Sequence, residues 1–459
     1  MMGYAKVSQV TRGIHTRQFS RTFIVGDNSS RVAIVTIDSG MVSQIVKLEV
    51  VRALKEKFGD LYTEENVLIT ATHTHATLSI ERAHNNVQPG YIYWNIGEVH
   101  NASINRSPTA YNNNPEEERS RYKENVDKRM FLLKFTDIRD KPLGTMNWFA
   151  VHPTSMNSSN TLISGDNKGV ASLMFEQNMN GEEALPGKGP FVAAFAQSNA
   201  GDVSPNIFGA RCPSNVSEIC DIETSTCKAG KERCIAIGPG HDMFESTWII
   251  GRRQYKVAKD LFKTTYKRLA GPVLFIHQFI DMSNIELEGD NETERVMFSL
   301  PPAVKSAQIT ILLDSRANLL WASVFAAGTI DCPGEFDFLQ GTTKGSTLWN
   351  IVVDFIRRPS KELKACQAPK PILLATGEMS LPYKWQPDVV PTQIVQIGNL
   401  AILGVPAEIT TMAGRRLRDA VQKVLEETSS RDDIQVVLSS LSNAYSSYVA
   451  TFEEYQVQR

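Results

Sequence analysis

The sequence predicts an α/β fold: one large domain in which mixed β-sheets are flanked by helices. Three observations lead there. Short apolar runs alternate with amphipathic stretches of helical period along most of the chain. No long flexible linker, internal repeat or low-complexity run divides the 459 residues. The composition, 42% hydrophobic and 21% charged, is that of a globular chain with ample length to bury a core.

In chain order, residues 31–38 read as a buried strand of β-branched residues. Over residues 41–58, Val42, Ile45, Val46, Val50 and Leu54 keep helical spacing. Residues 67–71 form the next strand. Strands are also expected at 130–135, 145–151, 191–196, 273–280, 372–375 and 434–438. A longer one, 394–405, is broken near Gly398. Helices are expected at 168–178, 247–269, 347–357 and 411–427. The last places Met412, Leu417, Ala420, Val421 and Val424 on one face. Residues 85–118, 205–240 and 369–391 read as irregular, being rich in Asn, Pro and Gly or in cysteine.

Charge narrows the function. The 48 basic and 50 acidic residues leave a net charge of -2, so no basic footprint for nucleic acid exists. No apolar run approaches the ~18 residues of a membrane span. Met1 to Lys6 lacks a signal-peptide core, which reads either as a cytosolic protein or as a start inside a longer sequence. Cys212, Cys220, Cys227 and Cys234 cluster, while Cys332 and Cys366 stand apart. The cluster suits disulfides of a secreted protein, or a zinc knuckle, and spacing does not pair the four. Six glycosylation triplets begin at Asn28, Asn101, Asn105, Asn157, Asn215 and Asn291.

The histidines carry the chemistry. His73 and His75 follow the strand at 67–71, and His152 follows the strand at 145–151. Strand ends are where open α/β sheets bind ligands, and two residues at i, i+2 of an extended chain point to one side. These positions suit either a metal or hydrogen-bonded turns. A catalytic zinc needs a third protein ligand and an open position. Glu408, between a strand and a helix, suits that role or a helix-dipole partner. Ser204, in the small and polar run 196–206, reads as a turn residue or as a nucleophile or oxyanion donor.

Seven co-ordered segments resemble the neutral/alkaline ceramidases. They are 72–75 (Thr-His-Thr-His), 104–108 (Ile-Asn-Arg-Ser-Pro), 148–155, 201–206 (Gly-Asp-Val-Ser-Pro-Asn), 325–331, Glu408 with 410–416, and Tyr448 before 453–455. The resemblance implies an amidohydrolase that cleaves ceramide to sphingosine and a fatty acid with one zinc. His73, His152, Glu408 and Tyr448 would be the zinc ligands. His75 would assist proton transfer, Arg106 would lie at the site, and Ser204 would stand close to the scissile amide. It also implies the pairs Cys212–Cys227 and Cys220–Cys234. Cys332 sits where the family usually has no cysteine, so the resemblance leaves its pairing with Cys366 open. Ceramide would be reached at a membrane surface, and the full-length form would be extracellular or attached to the plasma membrane.

Measured against that pattern, residues 1–459 are expected to be the catalytic domain. It is expected to be incomplete at its N-terminus and after His75, with the family's C-terminal β-sandwich absent. Two other functions fit the same residues: a catalytically impaired homologue that binds lipid or a partner, and another zinc hydrolase.

Overall fold

The computed structural model describes all residues except 1–8, 75–79, 224–225, 228–231, 233, 283–285, 289–294, 298–319, 322–346, 362, 365–371, 373–374, 382–386, 430–432 and 458–459. His75, Asn291, Cys332, Cys366 and the 325–331 segment therefore lie outside the described residues.

In chain order the elements that place the site are β1 (Ser20–Gly26), β2 (Arg31–Ile37), α1 (Gln44–Phe58), β3 (Val67–Ala71), β4 (Gly90–Glu98), β5 (Ile104–Asn105), β6 (Arg129–Asp137) and β7 (Pro142–Phe149). There follow α2 (Asp166–Asn180), β8 (Val192–Gln197), β9 (Val203–Ser204), α3 (Met243–Thr264), β10 (Lys267–Leu269) and β11 (Val273–Asp281). The chain closes with β12 (Val389–Ile397), β13 (Leu400–Gly404), β14 (Glu408–Ile409), α4 (Thr411–Ser429), β15 (Gln435–Ser439) and β16 (Tyr448–Ala450).

Three sheets stand out, and all are mixed. The largest has the order β8-β7-β6-β4-β10, with β8 and β7 parallel and the rest antiparallel. The second is β11-β12-β13-β15, parallel only between β13 and β15. The third is β1-β2-β3, with β2 and β3 parallel. The α/β class expected from the sequence is the class observed.

Strand β6 shows how the sequence sets the layers. Phe131, Leu133 and Phe135 face a core shared by all three sheets, with Phe23, Ile34, Leu68, Val395 and Ile402. The alternate residues Met130 and Leu132 face Phe175 of α2 and Ile250 and Phe262 of α3. A strand covered on both faces needs apolar residues at both parities, so it reads as a continuous run. Helix α3 begins at Asp242, whose side chain accepts the Glu245 N–H at 2.8 Å, while Glu245 accepts the His241 N–H. The first bond satisfies one of the N–H groups that a helix start leaves free, and the second ties the chain before the cap to the first turn.

The structure departs from the expected elements in five places. Helix α3 ends at Thr264, and Lys267–Leu269 joins β4 as an edge strand instead of extending the helix. The Thr265 hydroxyl donates to the Trp94 carbonyl at 2.7 Å and fixes that switch. The region 85–118 holds a full strand, β4, and residues 205–240 hold three short strands. Strand β1 had no expectation at all. Residues 372 and 375 belong to no strand, and Thr376–Glu378 form a single 3₁₀ turn. The expected break near Gly398 is a two-residue hairpin turn between β12 and β13. Gly398 has a φ of 59°, which favours glycine, and an added Cβ would lie 2.3 Å from the Ala270 carbonyl oxygen.

The four clustered cysteines are paired as Cys212–Cys227 and Cys220–Cys234, with Cα separations of 5.7 and 6.2 Å. That is the pairing implied by the family resemblance, and it decides between disulfides and a knuckle.

Candidate metal centre

Four stretches far apart in sequence meet at one point. His73 sits two residues past the end of β3, with a φ of 86° that turns the chain sharply after the strand. His152 sits three residues past β7 and is 3% exposed. Glu408 opens β14, also 3% exposed. Tyr448 opens β16, which runs parallel to β14 with Tyr448 directly opposite Glu408 in the register. Strand pairing, not sequence proximity, brings the phenol to the carboxylate.

The hydrogen bonds orient each donor. The His152 Nδ1 meets the Val203 carbonyl at 3.2 Å, and the His73 Nδ1 meets the Gly40 carbonyl. A carbonyl accepts only, so each ring must carry its proton on Nδ1. Each Nε2 is then the ring atom turned to Glu408, a donor to the carboxylate when protonated and a metal ligand when not. The Nε2 of His152 is 2.8 Å from Glu408 Oε2, and that of His73 is 3.4 Å from Oε1. The two rings stand 5.1 Å apart, edge to face. Two imidazole Nε2 atoms and a carboxylate therefore converge. One ligand atom from each of His73, His152 and Glu408 lies within 4.8 Å of the others, a group able to hold a metal ion.

The electrostatics agree with that grouping. Burial pushes the His152 pKa down to about 4, and the Arg106 charge pushes the same way, so the ring is neutral at pH 7. Burial opposes ionisation of Glu408. The His73 and His152 rings and a 2.6 Å bond from the Tyr445 hydroxyl outweigh it and hold the carboxyl below its ordinary range. Desolvation and the Glu408 charge push the Tyr448 hydroxyl above its ordinary range. Arg106 bridges the centre: its Nη2 donates to the Tyr448 hydroxyl at 3.0 Å and to the Gly201 carbonyl at 2.9 Å, and lies 3.3 Å from His152 Nε2.

Five of the expected residues thus meet: His73, His152, Glu408, Tyr448 and Arg106. Ser204 lies on β9, fully buried, next to Val203, whose carbonyl receives both the backbone N–H and the Nδ1 of His152. Its hydroxyl accepts the Asn206 N–H at 3.1 Å. His75 lies outside the described residues. The sequence reading missed Tyr445, which carries no local signal three residues before Tyr448. It also missed the carbonyls of Gly40, Val203 and Gly201, because backbone groups leave no trace in a side-chain pattern.

Relatives of known type share this architecture. The sequence matches the family described as neutral/alkaline non-lysosomal ceramidase, N-terminal, over residues 1–79 and 76–459. The chain belongs to the neutral/alkaline ceramidase family. A neutral ceramidase of Drosophila pseudoobscura pseudoobscura is 42% identical over 494 residues, covering 100% of this chain and 68% of the relative. Neutral ceramidase 1 of Arabidopsis thaliana is 42% identical over 557 residues, with 100% and 69% covered. Among solved structures, a ceramidase complexed with C2 superposes with a TM-score of 0.77 at 32% identity, covering 100% of this chain and 68% of that one. The neutral ceramidase of Pseudomonas aeruginosa gives 0.73 at 32% identity, covering 100% and 67%. The two matched pieces of this ceramidase-family chain meet at residues 76–79, just past His75.

Proposed function

We propose that this chain is a zinc amidohydrolase that cleaves the N-acyl amide of ceramide, giving sphingosine and a fatty acid. The observation that carries this reading is the convergence of His73, His152 and Glu408, with Tyr448 opposite Glu408, in a family whose named members are ceramidases. Two imidazole nitrogens and a carboxylate oxygen are a donor set of catalytic zinc sites, and a phenol oxygen completes it. Both imidazoles present Nε2 because their Nδ1 protons are committed to carbonyls. Zinc held there would supply Lewis acidity toward an amide carbonyl and make water acidic near pH 7.

The chain's own groups divide the remaining work. The Arg106 guanidinium, against Tyr448 and His152, provides positive charge where an amide oxygen would become negative. One donor of that kind is typically worth ~3 kcal/mol in the transition state. Ser204, beside Val203, is assigned to the scissile amide, as a hydrogen-bond donor or nucleophile. His75, two residues after His73, is assigned to proton transfer to the leaving amine. No described helix is long and apolar enough to cross a membrane. Ceramide is itself a membrane lipid and would be met at a membrane surface. A secreted or surface-attached form fits the two disulfides. Asn28, Asn101, Asn157 and Asn215 are exposed and open to a glycan, whereas Asn105 is buried.

The test measures metal content and sphingosine release together. One zinc per chain, sphingosine released from long-chain ceramide, and loss of release on chelation are expected. Zinc without any release would favour the impaired homologue, a reading motivated by the two-piece match beside His75. Peptides cleaved in preference to ceramide would favour another zinc hydrolase.

A further inference from the structure

The loop that carries His152 is fastened from outside the metal centre, at the start of α2. Three consecutive residues there, Asp166, Asn167 and Lys168, are polar and at most 4% exposed. Asp166 Oδ2 accepts the Met156 N–H at 3.0 Å, and its Oδ1 accepts the Ser155 N–H at 3.3 Å. Its φ of 47° is costly for a residue with a Cβ. The Ser164 hydroxyl accepts the Asp166 N–H at 3.0 Å and helps hold that conformation. The Asn167 Nδ2 donates to the His152 carbonyl at 2.9 Å and to Ser155 Oγ at 3.1 Å. Its Oδ1 accepts from Gln254 Nε2 of α3 at 3.0 Å. Lys168 Nζ donates to the carbonyls of Phe149 and Ala196, at the ends of β7 and β8.

Burying this many polar groups gains little stability over an apolar plug of similar shape. What the arrangement does achieve is a fixed path for residues 149–156. We infer that Asp166 and Asn167 are positioning residues for the His152 imidazole, holding its carbonyl and the N–H groups of Ser155 and Met156 so that Nε2 stays on Glu408. The inference rests on the reading of His152 as a metal ligand. Ligand atoms misplaced by a fraction of an ångström lose much of their affinity, and partners behind the ligands typically set it by ~10- to 100-fold.

Helix α2 contains its own control. At its far end Asn180 makes a comparable clamp: Nδ2 donates to the Phe191 carbonyl and Oδ1 accepts the Phe191 N–H, both at 2.9 Å. That clamp touches no site residue. The experiment titrates metal-free protein with zinc against a chromophoric chelator and records thermal unfolding in parallel. Asn167→Asp sets a carboxylate oxygen against the His152 carbonyl and is expected to weaken zinc binding ~10-fold or more. Asn180→Asp is expected to lower the Tm without moving zinc affinity. Gln254→Leu removes only the anchor of Asn167 and should give an intermediate loss, which keeps the test alive if Asn167→Asp fails to fold. Unchanged affinity in the Asn167 and Gln254 variants, or an equal loss in Asn180→Asp, overturns the positioning role. His152→Ala separates the two claims: zinc retained there overturns the ligand reading itself. Zinc lost there but kept by Asn167→Asp overturns positioning alone.

Discussion

Glu408 is ionised where almost no water reaches it, and the charge is tolerated because two imidazoles and a phenol surround it. Replacing it with the isosteric amide removes the charge and keeps the volume. Glu408→Gln should therefore weaken zinc binding by more than ~100-fold and abolish sphingosine release, both read on purified protein. Lys168 poses the opposite problem, an ammonium sealed in the interior. Burial lowers its pKa from 10.5 to about 7. Below pH 7 both the folded and unfolded chains hold the proton. Between pH 7 and 10.5 the unfolded chain binds more protons, so stability rises with pH across that window. A neutral amine still has two N–H groups for the Phe149 and Ala196 carbonyls. Urea midpoints should climb from pH 7 toward 10 in the native chain and climb less in Lys168→Met.

Among the elements, the α2–α3 crossing is a close contact behind the centre. Gly251 of α3 lies against α2 so closely that an added Cβ would meet the Asn167 carbonyl oxygen at 2.8 Å and Val170 Cγ1 at 2.7 Å. Alanine is the better helix former by up to ~1 kcal/mol. Overpacking against a backbone atom typically costs ~1–3 kcal/mol and should win. Gly251→Ala is expected to lower the Tm, and calorimetry with zinc titration would show whether the shifted α2 also loosens the metal. Strand β4 shows where element-level reading fails. Ile92, Trp94 and Ile96 alternate toward the shared core, a period-two signal that is present in the sequence. The surrounding Asn, Pro and Gly concealed it, and no residue of the strand is fully buried. The opposite error occurred at 265–269, where an apolar period continued past the point at which Thr265 had bonded to β4.

For the whole molecule, the strands and helices around one shared core were largely legible, because burial on one or both faces dictates a local period. The site was legible only in part. His73 and His152 declare themselves at strand ends, but nothing local ties Glu408 to Tyr448. That union is a tertiary pairing, and only the family resemblance pointed to it. The disulfide-bonded loops form a further independent unit. Ala210, Cys212, Cys220, Cys227 and Cys234 make a small cluster of their own, separate from the three-sheet core. Reducing both bridges should speed hydrogen exchange in residues 210–236 and leave β2, β6 and β13 protected, as mass spectrometry of the reduced protein would show.

The ladder between β14 and β16 has one more consequence. Because the distance from carboxylate to phenol is set across a pair of backbones, the helix and strand threaded between them are bystanders to it. Changes of chain length between Ile409 and Tyr448 can leave the two oxygens together as long as the ladder survives. A relative with a longer excursion there would keep the same carboxylate beside the same phenol.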